Sequence, residues 1–158
     1  MNKTKNILQI PIDDSQEPLY IGYVKCQTIL PTYNFFFEIN KQNQFFFERK
    51  KDLIRHGEYF DYYYSVYEAK CETQQINYRF FSNHPIHTIQ TKEISDLFGL
   101  EMENKFLVDS SEIIYIASTS YFSANFSLIL QTEKSIFQLE VQEIFSNDEL
   151  FELIQYYE

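Results

Sequence analysis

The sequence predicts an α+β fold, in which a mainly antiparallel, meander-like β-sheet carries a C-terminal α-helix packed on one face. Composition is the first reason, because 16 Phe and 13 Tyr stand against three Gly, and aromatic residues favour strands. The second is a period-two alternation of apolar and polar residues in the second half, which is typical of antiparallel strands with one solvated face. The third is an apolar stripe at helical spacing near the end of the chain. We expect residues 1–158 to form a single globular domain, with residues 1–6 as a frayed tail.

The first quarter of the chain contains one strand candidate and one aromatic repeat. Residues 20–30 are rich in strand formers and follow a loop predicted at 13–18. Segments 35–38 and 45–48 both read Phe-Phe-Phe-Glu and are separated by polar residues. This pattern predicts a β-hairpin in which Phe36 pairs with Phe47 and both faces of the ribbon are apolar.

Shorter segments follow in the middle of the chain. Residues 59–66 place Phe60, Tyr62 and Tyr64 on one strand face. Strands are also predicted at 75–81 and 86–90, on either side of a turn at Ser82-Asn83. Residues 92–98 have a brief helical pattern that ends at Gly99, a residue suited to a helix C-terminus.

The second half predicts two hairpins and a helix. Residues 106–108 and 113–117 flank a polar turn, and the alternating segments 126–131 and 137–142 flank another turn at 132–134. Ser146 and Glu149 match a capping box at the start of the final helix. Its predicted buried stripe consists of Leu150, Phe151, Leu153, Ile154 and Tyr157.

Charge is distributed unevenly along the chain. Residues 1–79 contain 10 acidic and 10 basic side chains, whereas residues 80–158 contain 13 acidic side chains and three lysines, which accounts for the net charge of −10. Such a charge attracts basic surfaces and repels polyanions. We therefore expect no nucleic-acid partner, although Arg49, Lys50, Lys51 and Arg55 form a small basic cluster beside the aromatic repeat.

No catalytic or cofactor-binding signature is visible. His84 and His87 are separated by Pro85, which does not suit a helix interior, and three positions along a strand place side chains on opposite faces. The three glycines are isolated from one another, so phosphate-binding loops are absent. Cys26 and Cys71 have neither the spacing of a zinc site nor that of a disulfide framework. We expect no cofactor and no metal, and neither a signal peptide nor a membrane span is recognisable, so we expect a cytoplasmic protein without a membrane partner.

These observations favour a non-enzymatic acidic binding protein that neutralises or sequesters a basic protein, as an immunity protein inhibits a bacterial toxin. The predicted partner-binding residues are Glu101, Glu103, Asp109, Glu112, Glu140, Asp148 and Glu149. One alternative is a small enzyme whose site is assembled from scattered residues such as His56, His84 and His87. Another is a structural subunit that oligomerises through its aromatic hairpin. The sequence leaves the oligomeric state open.

Overall fold

The computed structural model describes residues 17–26, 30–43, 45–73, 75–93, 105–120, 126 and 137–158. The described residues form nine strands and two helices. In chain order these are β1 (Leu19–Cys26), α1 (Thr32–Gln42), β2 (Glu48–Arg49), β3 (Leu53–His56), β4 (Phe60–Tyr64), β5 (Val66–Cys71), β6 (Ile76–Ser82), β7 (His87–Gln90), β8 (Ile113–Thr119), β9 (Phe137–Ile144) and α2 (Glu149–Gln155). The predicted α+β class and the C-terminal helix are confirmed.

The strands form two antiparallel sheets. The larger has six strands in the order β2-β5-β6-β8-β1-β9, and the smaller has three in the order β3-β4-β7. β1 therefore lies between β8 and β9, both of which come from the C-terminal part of the chain. In the register, Tyr23 stands opposite Ile116 on one side and Glu140 on the other.

Both faces of the six-stranded sheet are covered. Successive residues of β5 and β6 point to opposite faces, as the pleat of a strand requires. On one face, Phe80 and Ala69 pack with α1 in a core cluster. On the other face, Phe81 and Val66 pack with the three-stranded sheet and with Ile154 of α2. The result is a layered fold in which the large sheet separates two hydrophobic cores.

The predicted aromatic hairpin is wrong, because its first half is helix α1. Phe35, Phe36 and Ile39 are buried at helical spacing on one side of α1, whereas Phe37 points to solvent. Tertiary burial of this stripe outweighs the strand preference of three consecutive phenylalanines. Phe36 does contact Phe47, with ring centroids 6.0 Å apart, but as a helix residue against an extended segment. The Asn40 side chain fixes that segment by accepting from the Phe47 N–H at 2.7 Å and donating to its C=O at 3.0 Å.

Strands β1, β6, β7, β8 and β9 confirm the predictions made for those segments. The segment predicted as one strand at 59–66 is divided at Ser65, whose N–H donates to Ser82 Oγ at 2.9 Å, so that Val66 begins β5 in the other sheet. Residues 94–98 of the predicted helix at 92–98, and its Gly99 cap, lie outside the described residues. So do residues 13–16 of the loop predicted at 13–18, and most of the hairpin arm 126–131 with its turn at 132–134.

The predicted hairpin of 106–108 with 113–117 is wrong in its first arm. β8 forms, but residues 106–108 belong to a loop, which is held by the fully buried Asn83. The Asn83 amide donates to the carbonyls of Val108, Ser110 and Ile113, each at 3.0 Å, and accepts from the Val108 N–H at 2.7 Å. One side chain thus satisfies main-chain groups that a strand partner would otherwise bind.

Helix α2 begins two residues later than the predicted capping box places it. Asp148, rather than Ser146, is the N-cap residue, and its Oδ2 accepts from the Phe145 N–H at 3.0 Å instead of from the helix. Ile154 is buried in the second core, and the rest of the predicted stripe is partly buried against it. No helix in the described ranges is both long and apolar enough to cross a membrane.

Candidate functional site

Two of the predicted partner-binding residues meet at the C-terminal end of β1, and a third acts on a residue in the middle of that strand. Lys25 Nζ lies 3.5 Å from Glu140 Oε2 and 3.8 Å from Glu112 Oε2. Asp148 and Glu140 both act electrostatically on Tyr23, two residues before Lys25. We call Glu112, Glu140 and Asp148 the carboxylate cluster.

The sheet register explains why these residues meet. Lys25 stands opposite Ile113 of β8 and Gln138 of β9, so its backbone lies between the two strands that flank β1. Glu112 directly precedes β8, and Glu140 is the β9 partner of Tyr23. Residues far apart in sequence therefore converge because β1 is inserted between two strands of the second half.

Electrostatics at the cluster are dominated by negative charge. Glu112 and Glu140 share one ammonium, and Asp148 adds a carboxylate near Tyr23, so three negative charges stand against one positive charge if each is ionised. Burial raises the pKa of Tyr23 above its ordinary value, and the charges of Asp148 and Glu140 raise it further. The phenol therefore remains a neutral hydrogen-bonding group beside the carboxylates.

The cluster is open to solvent. The side chains of Glu112 and Glu140 are 77% and 57% exposed, whereas that of Lys25 is 35% exposed. The lysine side chain is therefore less exposed than the two glutamate side chains with which it pairs. Exposed ion pairs of this kind contribute about 0–1 kcal/mol to stability, so the cluster adds little to the stability of the fold.

The remaining predicted residues are placed differently. The Glu149 carboxylate is held by Arg55 in a two-pronged ion pair, with Nε–Oε1 at 2.7 Å and a second contact from Nη2 to Oε2. Arg55 also donates to the Phe106 carbonyl at 3.1 Å, which ties β3 to α2 and to the loop before β8. Asp109 is exposed on that loop, outside the contacts that define the cluster. Glu101 and Glu103 lie outside the described residues.

A buried ion pair was missed by the sequence analysis. Glu68 is 6% exposed, and its Oε2 accepts from Arg79 Nε at 2.6 Å while Lys70 lies 3.3 Å from Oε1. Burial would raise the pKa of Glu68, but the hydrogen bond and charge of Arg79, together with Lys70, lower it below its usual range. Glu68 and Arg79 are direct cross-strand partners. Only the β5–β6 register would have indicated the pair.

The three histidines do not share a site. His56 and His87 lie on the outer face of the three-stranded sheet, where His56 Nδ1 is 2.9 Å from Asp61 Oδ1 and the His87 ring stacks on Tyr63. His84 packs edge-on against Phe106. A cleft of about 490 Å³ contains His56, and one of about 960 Å³ contains none of the three. The described residues include no group of three or more His, Cys, Asp or Glu side chains placed to hold a metal.

Neither cysteine forms a disulfide with the other, and both are half-buried; Cys71 Sγ lies 3.2 Å from Thr73 Oγ1. Burial raises the pKa of the Cys26 thiol, which keeps it in the unreactive protonated form. Phe37 and Phe46, which were predicted to lie in the aromatic ribbon, are largely exposed, as is Tyr33 of α1.

No family model, curated protein or solved structure matches this chain.

Proposed function

We propose that this protein is a non-enzymatic binding protein that neutralises or sequesters a basic protein partner. The observation that supports the proposal is the convergence of Glu112 and Glu140 on Lys25, with Asp148 close enough to Tyr23 to act on it electrostatically. Arginine or lysine side chains of a partner would pair with the exposed carboxylates, while Lys25 holds them in position. Charge complementarity of this kind raises association rates and excludes partners of the wrong sign.

The specific role that we propose is inhibition of a cationic toxin, as an immunity protein performs it. Carboxylates can replace the phosphates of a nucleic-acid substrate in a basic groove, and a net charge of −10 steers the inhibitor toward it. Tyr23, half-buried between carboxylates, offers an aromatic surface beside the charged contacts. The proposal requires no metal and no cofactor.

The experiment compares the wild type with a double charge reversal, Glu112→Lys with Glu140→Lys. Partner protein is isolated on the immobilised wild type at low ionic strength, and its affinity for each variant is then measured over a range of salt concentrations. The matched control is Glu58→Lys with Glu72→Lys, which makes the same change in net charge at exposed turns away from the cluster.

We expect the control to bind almost as the wild type does and the cluster variant to lose at least tenfold in affinity. We also expect the wild-type affinity to fall steeply with salt, since screening weakens exposed charge pairs. Equal affinities for the two double variants would contradict the proposal, because the effect would then reflect net charge alone.

A further inference from the structure

A groove of about 490 Å³ runs beside β3, which is an edge strand of the three-stranded sheet. We call it the edge groove. Every residue from Lys51 to His56 lines one side of it. Because consecutive strand residues point to opposite faces, a groove that touches all of them follows the edge of the sheet and not one face. The opposite side is formed by Glu149, Glu152, Leu153, Tyr156, Tyr157 and Glu158.

The main-chain groups of β3 that face away from β4 can be identified from the register. The N–H of Gly57 donates to the C=O of Phe60 at 2.8 Å, which closes the β3–β4 turn as a hydrogen-bonded pair. Hydrogen-bonded pairs alternate along an antiparallel ladder, so Leu53 and Arg55 bond to β4. Ile54 and His56 therefore direct their N–H and C=O groups away from β4. Within the described part of the chain these groups have no main-chain partner.

The charges of the edge groove favour a cationic occupant. Arg55 is neutralised by Glu149, and Asp52 is paired with Arg49. Glu152 and Glu158 are exposed and form no ion pair with any described residue, and Lys51 is the corresponding unpaired cation. Two carboxylates thus face one ammonium across the groove.

We propose that the edge groove binds an extended, lysine- or arginine-containing segment, which adds to β3 as a fourth strand of the small sheet. Main-chain hydrogen bonds to Ile54 and His56 would align the segment, and the carboxylates of Glu152 and Glu158 would select its charge. The four residues of β3 span roughly 13 Å at about 3.3 Å per residue, so a segment of about four residues fills the strand. The inference rests on the proposed function for the basic character of the partner, but it uses different residues.

The probe is a synthetic octapeptide in which Lys and Val alternate, titrated into the full chain. Amide hydrogen exchange is followed by NMR, and the affinity is measured by calorimetry. The variant is Ile54→Pro, which removes an outward N–H without removing a bond to β4 and follows a residue that is already extended. The matched control is Thr88→Pro on β7, the opposite edge of the same sheet, because the Thr91 N–H bond to the Tyr59 carbonyl places the Thr88 N–H on the free side.

We expect the peptide to slow amide exchange at Ile54 and His56 by at least tenfold, and Ile54→Pro to abolish binding while Thr88→Pro preserves it. An octapeptide of alternating Glu and Val should not bind. Absence of binding by the Lys-Val peptide to the wild type, or protection that appears elsewhere on the molecule, would overturn the inference. Since the exchange experiment uses the wild type, it decides the question even if a proline variant does not fold.

The double charge reversal at Glu112 and Glu140 separates this inference from the proposed function. If the edge groove alone binds the peptide, that variant binds the octapeptide as tightly as the wild type does. Loss of peptide binding in the double variant would assign the peptide to the carboxylate cluster and overturn the groove as its site.

Discussion

At the scale of the residue, the Asn83 side chain makes four hydrogen bonds to main-chain groups. It is completely buried, and it makes three of these hydrogen bonds to the loop that precedes β8 and one to Ile113, the first residue of that strand. The same loop contains Asp109 and leads into Glu112 of the carboxylate cluster. Asn83 therefore connects the end of β6 to the position of the candidate site.

Replacing Asn83 with alanine should lower the free energy of unfolding by about 3 kcal/mol, because buried main-chain groups lose their partners. Asn83→Asp should be worse, since it loses the amide donors and points a carboxylate at three carbonyl oxygens. Urea denaturation measures both. A variant Asn83→Asp as stable as the wild type would show that the hydrogen bonds do not hold the loop.

Glu68 makes the stability of the fold depend on pH. Its folded-state pKa is lowered below the ordinary value of 4.5, so its stabilising contribution is present above that value and is lost as the pH falls through the folded-state pKa. Glu68→Gln should therefore be less stable than the wild type at pH 7, and the difference should narrow below about pH 4.5. Urea denaturation at several pH values tests this, with Glu58→Gln, exposed in the turn between β3 and β4, as control. A difference that does not change with pH would contradict it.

At the scale of the element, α1 is a helix where the sequence pattern predicted a strand. Three consecutive phenylalanines followed by a second triplet suggested two strands, because aromatic residues favour strands. Phe35, Phe36 and Ile39, however, also have the spacing of one helix face. Both periodicities fit so short a run, and burial against Phe80 and Tyr115 of the sheet decided between them. Longer alternating segments such as β9 offered no such ambiguity.

Helix α1 and the hairpin predicted from sequence lead to different expectations for the adjacent residues Phe36 and Phe37. Phe36 is 4% exposed and Phe37 is 63% exposed. Phe36→Ala should therefore lower the free energy of unfolding by about 3–5 kcal/mol, whereas Phe37→Ala should change it by less than about 0.5 kcal/mol. Urea denaturation of the two variants measures this. Similar losses at both positions would indicate a ribbon buried on both faces.

The N-terminus of α2 provides a second comparison. Because Asp148 accepts from the Phe145 N–H and places a negative charge at the helix N-terminus, Asp148→Ala should cost about 1 kcal/mol of stability. Ser146→Ala should be close to neutral, although the sequence pattern favoured Ser146 as the cap. Thermal or urea unfolding distinguishes them. A larger loss of stability in Ser146→Ala than in Asp148→Ala would indicate that Ser146 caps the helix, as the sequence pattern predicted.

At the scale of the whole molecule, period-two patterns indicate which residues share a face but not which strands are neighbours. The sequence therefore predicted the α+β class, most strands and the final helix, but it did not predict the insertion of β1 between β8 and β9. That insertion is what brings Lys25 to Glu112 and Glu140. The acidic residues were identified from the charge imbalance alone, and their partial convergence depends on long-range pairing that no local pattern encodes.

Net charge should also give salt opposite effects on folding and on binding. With a net charge of −10, repulsion among carboxylates opposes the compact state, and screening relieves it. Raising sodium chloride from about 0.02 to 0.5 M, where the Debye length falls several-fold, should therefore raise the melting temperature of the isolated protein while it weakens the complex with a basic partner.

The double charge reversal at Glu112 and Glu140 is the control for this effect. Each substitution changes the net charge by two, from −10 to −6 for the pair, so the melting temperature of the variant should respond less to salt than that of the wild type. Calorimetry of both proteins over the same salt series measures the two slopes. Equal slopes would mean that the surplus charge is already neutralised by local pairs, such as those of Lys25 and Arg55. In that case the cluster would lack the long-range attraction on which a fast encounter with a basic protein depends.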